Sequence, residues 1–317
     1  MAEAQPHGMM LRFPDVSEDR IVFSYANDLW TVPREGGLAQ PLASPPGTER
    51  MPRFSPDGSQ IAFSGNYDGN VDLYVVPVEG GVPNRATYHP EGEIMLDWTP
   101  EGDLMFQARN YQGNARISRL FTTSPEGGLP QPLPVPYGTR GAISGDGQYL
   151  AYTPWSRDGS TWKRYRGGMA TDLWLIHLPS GKATQLTDWE GTDTQPMWHG
   201  NVLYYLSDAG PAHRKNIWTM NHETGDARQV TFFKDHDVQW PTVGPGPNGQ
   251  GEIILQAGTG LQLLDLETEK LTPVNVTIPG DRPTIRTYRL PVEDEINNVH
   301  ISPSAQRVVL EAHGDIW

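Results

Sequence analysis

The segment Asp28-Leu-Trp-Thr-Val-Pro33, followed by a turn at Gly36-Gly37 and by Ala39-Gln-Pro-Leu-Ala-Ser44, reads as an aromatic strand, a glycine turn and a second short strand. The same unit returns as Asp72-Leu-Tyr-Val-Val-Pro77 with Gly80-Gly81. It returns again as Arg119-Leu-Phe-Thr-Thr123 with Gly127-Gly128, Asp172-Leu-Trp-Leu-Ile176 with Gly181, and Asn216-Ile-Trp-Thr-Met220 with Gly225. Leu261-Gln-Leu-Leu-Asp-Leu266 before Leu271-Thr-Pro-Val274 is a sixth copy. The turn glycines are spaced by about 44 to 54 residues, the period of a four-stranded blade, and no 3.6-residue apolar period accompanies them.

Upstream of each hairpin lies a second pair of strands joined by its own tight turn. Phe54-Ser-Pro-Asp-Gly58 leads into Gln60-Ile-Ala-Phe63, and Trp98-Thr-Pro-Glu-Gly102 into Asp103-Leu-Met-Phe106. Proline presets one φ of such a turn and glycine accepts the positive one. Ser144-Gly-Asp-Gly147 before Tyr149-Leu-Ala-Tyr152 repeats the pattern. Each unit is therefore one antiparallel meander with two apolar faces, which only stacking against its neighbours buries. The expectation is an all-β chain forming a six-bladed β-propeller of four-stranded antiparallel blades. Blades one and six each hold their own four strands, so the ring is expected to lack strand-exchange closure and to meet at that seam through side chains only.

The propeller is expected to span residues 1–283. Residues 284–317 then form a linker and a truncated first blade of a following propeller, because Asp315-Ile-Trp317 repeats the start of a third strand and stops. Removing residues from about Thr284 onward is expected to raise solubility.

Composition excludes several classes. A net charge of −14 with scattered Lys and Arg disfavours nucleic acid and anionic membranes as partners. Without cysteine there are no disulfides, thiolate metal sites or thiol nucleophiles, which fits a reducing compartment. Met1 to Met10 lacks the pattern of a secretory signal, and no stretch reaches the length of a membrane span. A cytoplasmic location is the expectation.

The residues resemble the tricorn proteases, large serine peptidases. Phe63-Ser-Gly-Asn-Tyr-Asp-Gly-Asn70 through Asp72-Leu-Tyr74, Val78-Glu-Gly-Gly81 and Thr87-Tyr-His-Pro90 look like blade two of that family's N-terminal six-bladed propeller. Val299-His-Ile-Ser-Pro303 with Arg307 to Asp315 is similar to the opening of its second propeller. The resemblance implies a noncatalytic channel or gating propeller of a tricorn-type protease that degrades oligopeptides. Its implied partners are peptides passing through the channel, the catalytic and PDZ domains of the same full-length chain, and further copies in a hexamer. No catalytic residue of the family falls on this chain. The competing readings are a stand-alone TolB-like propeller that binds a protein, and a lactonase-like enzyme with a metal in its tunnel.

No cofactor and no metal site is expected. Ser144 sits at the repeat position of Ser55 and Thr99, so it reads as a turn serine rather than a nucleophile. Asn66-Tyr-Asp-Gly-Asn-Val-Asp72 faintly resembles a calcium loop, but its counterpart Asn110-Tyr-Gln-Gly-Asn114 replaces Asp68 by Gln112, which favours a structural turn. The third-strand aromatics read as inter-blade core. The innermost strands line the tunnel in this architecture, which makes Arg53, Asp97, Arg140, Gln195 and Gln239 candidate channel-lining residues, subject to register. One long insertion, within blade four, carries Arg157, Trp162, Lys163, Arg164 and Arg166 and is a candidate contact loop for a peptide carboxylate or a neighbouring subunit.

Overall fold

The structure, a computed structural model, describes residues 8–43, 45–109, 111, 117–279 and 289–317. Two compact units follow one another, Met1–Pro279 and Gly280–Trp317. Thr284, and Asn110, Gln112 and Asn114 of the counterpart to the Asn66 to Asp72 loop, lie outside the described residues.

The first unit holds six four-stranded antiparallel sheets, each a meander of consecutive strands. Their innermost strands are Arg12–Val16, Glu49–Phe54, Glu93–Trp98, Arg140–Ile143, Asp193–His199 and Val238–Gly244. The tight turns form as the sequence requires. At Ser55 to Gln60 the serine hydroxyl donates to Asp57 Oδ1 at 2.6 Å and accepts from the Gln60 amide at 3.0 Å, while Gly58 takes φ 72°.

The second strand of each blade explains how the sheets stack. Its three central residues are Ile21-Val22-Phe23, Ile61-Ala62-Phe63, Leu104-Met105-Phe106, Leu150-Ala151-Tyr152, Leu203-Tyr204-Tyr205 and Ile253-Ile254-Leu255. Alternate side chains of a strand point to opposite faces. In every blade the outer two join the apolar cluster shared with the preceding blade, and the middle one joins the cluster shared with the next. Six clusters thus fill six interfaces, and Ile254 packing with Ile21 and Phe23 closes the ring between blades six and one. Burying each phenylalanine stabilises the stack by about 2 to 3 kcal/mol.

No strand is exchanged into either blade at that seam, but side chains do not act alone there. Val276–Thr277, just past blade six, pairs in parallel with Gly37–Leu38 of blade one. The amides of Gly37 and Ala39 donate to the carbonyls of Asn275 and Thr277 at 2.8 and 2.9 Å. The expectation of a side-chain-only junction is corrected by this clasp. Two residues either side of a glycine turn have free backbone groups facing the neighbouring chain, and pairing satisfies them. Gly36 permits the approach, since a Cβ there would stand 2.5 Å from the Asn275 oxygen. Arg34 adds an ion pair to the buried Glu252 of blade six, with Nε 2.8 Å from Oε1.

The second unit is a three-stranded antiparallel sheet, Ile296–Ile301, Val308–Ala312 and Asp315–Ile316. Its Ser302 to Arg307 turn, where the Arg307 amide donates to the Ser302 hydroxyl at 3.1 Å, repeats the serine turn of blade two.

Candidate functional site

The six innermost strands surround one cavity of about 490 Å³, the size of a small-ligand or short-peptide site. Five of these strands carry an irregularity in pairing, and in four of them the same residue adopts a left-handed conformation: Phe13, Met51, Gln195 and Trp240, with φ between 50° and 54°. Each of the four is followed by proline, at Pro14, Pro52, Pro196 and Pro241. The bulge adds a residue to the strand and turns its neighbours inward. Counted from the serine turns, Met95 of blade three and Arg140 of blade four occupy the equivalent position.

Arg53, Asp97, Arg140 and Gln195 all line the cavity. Gln239 is not among the lining residues; its neighbour Trp240 is. The bulge between Gln239 and Thr242 shifts the count by one, and one residue of slip changes which side chain faces the axis. Asp15 of blade one, in the innermost strand Arg12–Val16, also lines the cavity. It precedes Val16 as Arg53 precedes Phe54 and Asp97 precedes Trp98, so these three share one repeat position.

The electrostatics follow from burial. Arg53 is 9% exposed and donates from Nε to the Leu96 carbonyl at 2.8 Å and from Nη1 to the Pro52 carbonyl at 2.7 Å. Asp15 accepts from the Phe54 amide at 2.7 Å. Burial pushes the Asp15 carboxyl up to about 6, against the opposing pull of Arg53, and raises Asp97 as well. Burial lowers Arg53 from its usual value. Trp98 and Trp198 each donate an indole N–H to an innermost-strand carbonyl of the preceding blade, Arg53 at 2.9 Å and Ala142 at 3.1 Å, which fixes neighbouring blades at the axis.

The insertion of blade four reaches the same region from outside the repeat. Asp158, with a side chain 1% exposed, accepts from Arg140 Nε at 2.8 Å and lies 4.0 Å from Lys215 Nζ. Burial alone would raise its carboxyl, but the charges of Arg140 and Lys215 and the side-chain hydrogen bonds of Arg140 and Gln195 hold it down at about 2. The predicted contact residues sit around it. Arg157 stacks over Trp162 at 5.3 Å and Tyr165 at 5.6 Å, Arg164 donates to the His213 carbonyl at 3.1 Å, and Arg166 binds Asp208 at 3.0 Å. Lys163 is exposed and lines a recess of about 30 Å³ with Arg157, Trp162 and Arg164, room for a single water rather than a peptide.

Residues 8–270 match the model of the tricorn protease N-terminal β-propeller domain. This chain belongs to that family. It is 33% identical over 284 residues to tricorn protease homolog 1 of Streptomyces coelicolor, an alignment covering 88% of this chain and 26% of that protein. The crystal structure of the tricorn protease superposes with a TM-score of 0.74 at 20% identity, covering 98% of this chain and 30% of that one. TolB from Acinetobacter baumannii shares the fold at a TM-score of 0.54 and 17% identity, over 75% of this chain and 57% of its own. The chain thus spans about a quarter of the length of the tricorn homologue.

Two groups weighed in the sequence have structural roles in this tricorn propeller. Ser144 donates to Asp146 Oδ1 at 2.6 Å and accepts from the Tyr149 amide at 2.9 Å, the same turn as Ser55. In the Asn66 to Asp72 loop both carboxylates go to Arg85, Asp68 at 3.1 Å and Asp72 at 2.7 Å, which leaves them engaged by a cation already present. Among the described residues no group of three or more His, Asp or Glu side chains could hold a metal, and no helix is long and apolar enough to cross a membrane.

The residues missed from sequence were Asp15, Phe13, Met51, Trp240 and Asp158. Phe13, Met51 and Trp240 announce themselves through the recurring X-Pro in innermost strands, and Asp15 shares the repeat position of Arg53 and Asp97. Asp158 has no repeat counterpart, so periodicity offers no signal for it.

Proposed function

We propose that this tricorn-family propeller is a noncatalytic channel module of a cytoplasmic serine-type peptidase, through which oligopeptides reach or leave catalytic domains on the same full-length chain, within a homo-oligomer. The observation that carries this reading is the axial cavity, walled by the innermost strand of every blade and lined by both carboxylates and guanidinium groups. Such a lining offers hydrogen bonds to peptide backbone and to either terminus without a side-chain preference. The family match and the tricorn homologue support the peptidase context.

The test compares this chain with the full-length gene product on a panel of fluorogenic oligopeptides. Turnover is expected only from the full-length protein. Replacing Arg53 by Met there is expected to slow long peptides more than short ones, because only long ones must occupy the passage. Hydrolysis by residues 1–317 alone would sink the proposal.

A further inference from the structure

The residues at the bulge position come from all six blades: Phe13, Met51, Met95, Arg140, Gln195 and Trp240. Adjacent blades touch through their sheet faces, but side chains of blades that are not neighbours meet only across the axis. Trp240 of blade six lies edge-on to Phe13 of blade one with ring centroids 4.8 Å apart, and the Arg140 guanidinium of blade four lies over the Trp240 ring at 5.5 Å. Trp240 and Phe13 also pack on the cluster that contains Met51 and Met95 of blades two and three. Met51, Met95 and Gln195 are buried.

We infer that these six side chains form a closed constriction across the propeller axis, and that the blade-four insertion is its latch, with Asp158 the positioning residue that holds Arg140 against Trp240. The inference rests on the channel reading only for its consequence, that passage requires the constriction to open.

Three features make it an openable contact rather than more core. Bulky residues in the left-handed region are strained, and four of the six stand there. Asp158 Oδ1 faces the Lys215 ammonium at 4.0 Å, too long for a hydrogen bond, so that side of the latch is held by charge rather than by close contact. The loop that delivers it is tied down by polar contacts, Arg166 to Asp208 and Arg164 to the His213 carbonyl, while Trp155, Trp162 and Met169 remain 40, 64 and 51% exposed. A segment with few buried apolar contacts opens at lower free energy than the blades. Withdrawing it frees Arg140 from its carboxylate and removes the cation from the tryptophan face.

The absence of native cysteine allows a direct test in this chain. Met95 and Met105 lie in the same blade and both are 0% exposed, but only Met95 belongs to the constriction. Single thiols are placed by Met95→Cys and Met105→Cys, and their labelling by a small maleimide is timed below the unfolding transition. Met95→Cys is expected to react about tenfold faster than Met105→Cys, and Asp158→Asn to speed it about tenfold again while leaving Met105→Cys unchanged. Should Asp158→Asn fail to fold, Arg166→Gln cuts the loop's tie to Asp208 and gives the same readout. Equal protection of both thiols in every background would show a static core and overturn the inference. In the full-length product, labelling that responds to Asp158→Asn with no change in turnover of long peptides would leave the constriction standing and remove the channel reading instead.

Discussion

Between its blades the propeller is dry and repetitive, whereas along its axis it is charged and no two blades present the same set of side chains. The inter-blade clusters repeat the apolar triplet of the second strand six times, and each triplet faces both neighbours. At the axis, one repeat position holds Asp15, Arg53 and Asp97 in three successive blades, and Ala142, Met197 and Thr242 in the next three. The difference teaches that closure and individuality are encoded separately. Stacking supplies the stability that lets the innermost strands carry strained bulges and buried charge.

The largest expected effect strikes the repetitive side. Phe106 is fully buried and packs among Leu104, Met95 and Phe121 between blades two and three. Phe106→Ala should cost about 4 kcal/mol in urea unfolding of the chain, from lost burial and the cavity left behind. A cost below about 1 kcal/mol would mean that the stack does not carry the fold, and the comparison would break.

The next effect separates two sets of buried carboxylates by pH. Glu49, Glu93 and Asp193 begin the innermost strands of blades two, three and five and are buried. Burial raises each of them to about 7. Their folded pKa lies above the unfolded value, so the stability tied to their protonation is fully present below about 4.5 and is lost as pH rises through 7. Asp158 behaves oppositely: held at about 2, it contributes above the ordinary aspartate range and loses its contribution only as pH falls toward 2. The melting temperature should therefore be higher at pH 5.5 than at pH 8, and Glu93→Gln should flatten the slope where Asp158→Asn leaves it unchanged. A melting temperature that climbs toward pH 8 would reverse this assignment.

How much of this was legible in the sequence follows the same division. Second strands, serine turns and aromatic third strands could be placed because each recurs, and a recurring pattern averages over local exceptions. The clasp of Gly37–Leu38 with Val276–Thr277 left no trace, since two residues of parallel pairing have no period. At the axis, Arg53, Asp97, Arg140 and Gln195 line the cavity and Gln239 does not, since a bulge changes which residue faces inward without changing composition. The candidate contact loop was visible as an interruption of the repeat. Asp158 within it was not, as its partner Lys215 is more than fifty residues away and in another blade.

The smallest effect is expected at Trp162, and it sharpens the comparison most narrowly. Trp162 is 64% exposed, and the Arg157 guanidinium lies over its ring at 5.3 Å. An exposed cation–π pair contributes about 0.5 kcal/mol, so Trp162→Ala should leave the unfolding free energy within about that margin. Asp158, four residues earlier, is buried in an ion pair, and the loop between them has to bridge a solvated rim and the axis. If that bridge is polar, as the anchors through Arg164 and Arg166 indicate, truncating the rim aromatic removes no core. A cost above about 1.5 kcal/mol would instead place Trp162 in the packing of blade four, and the insertion would then belong to the stack rather than to the axis.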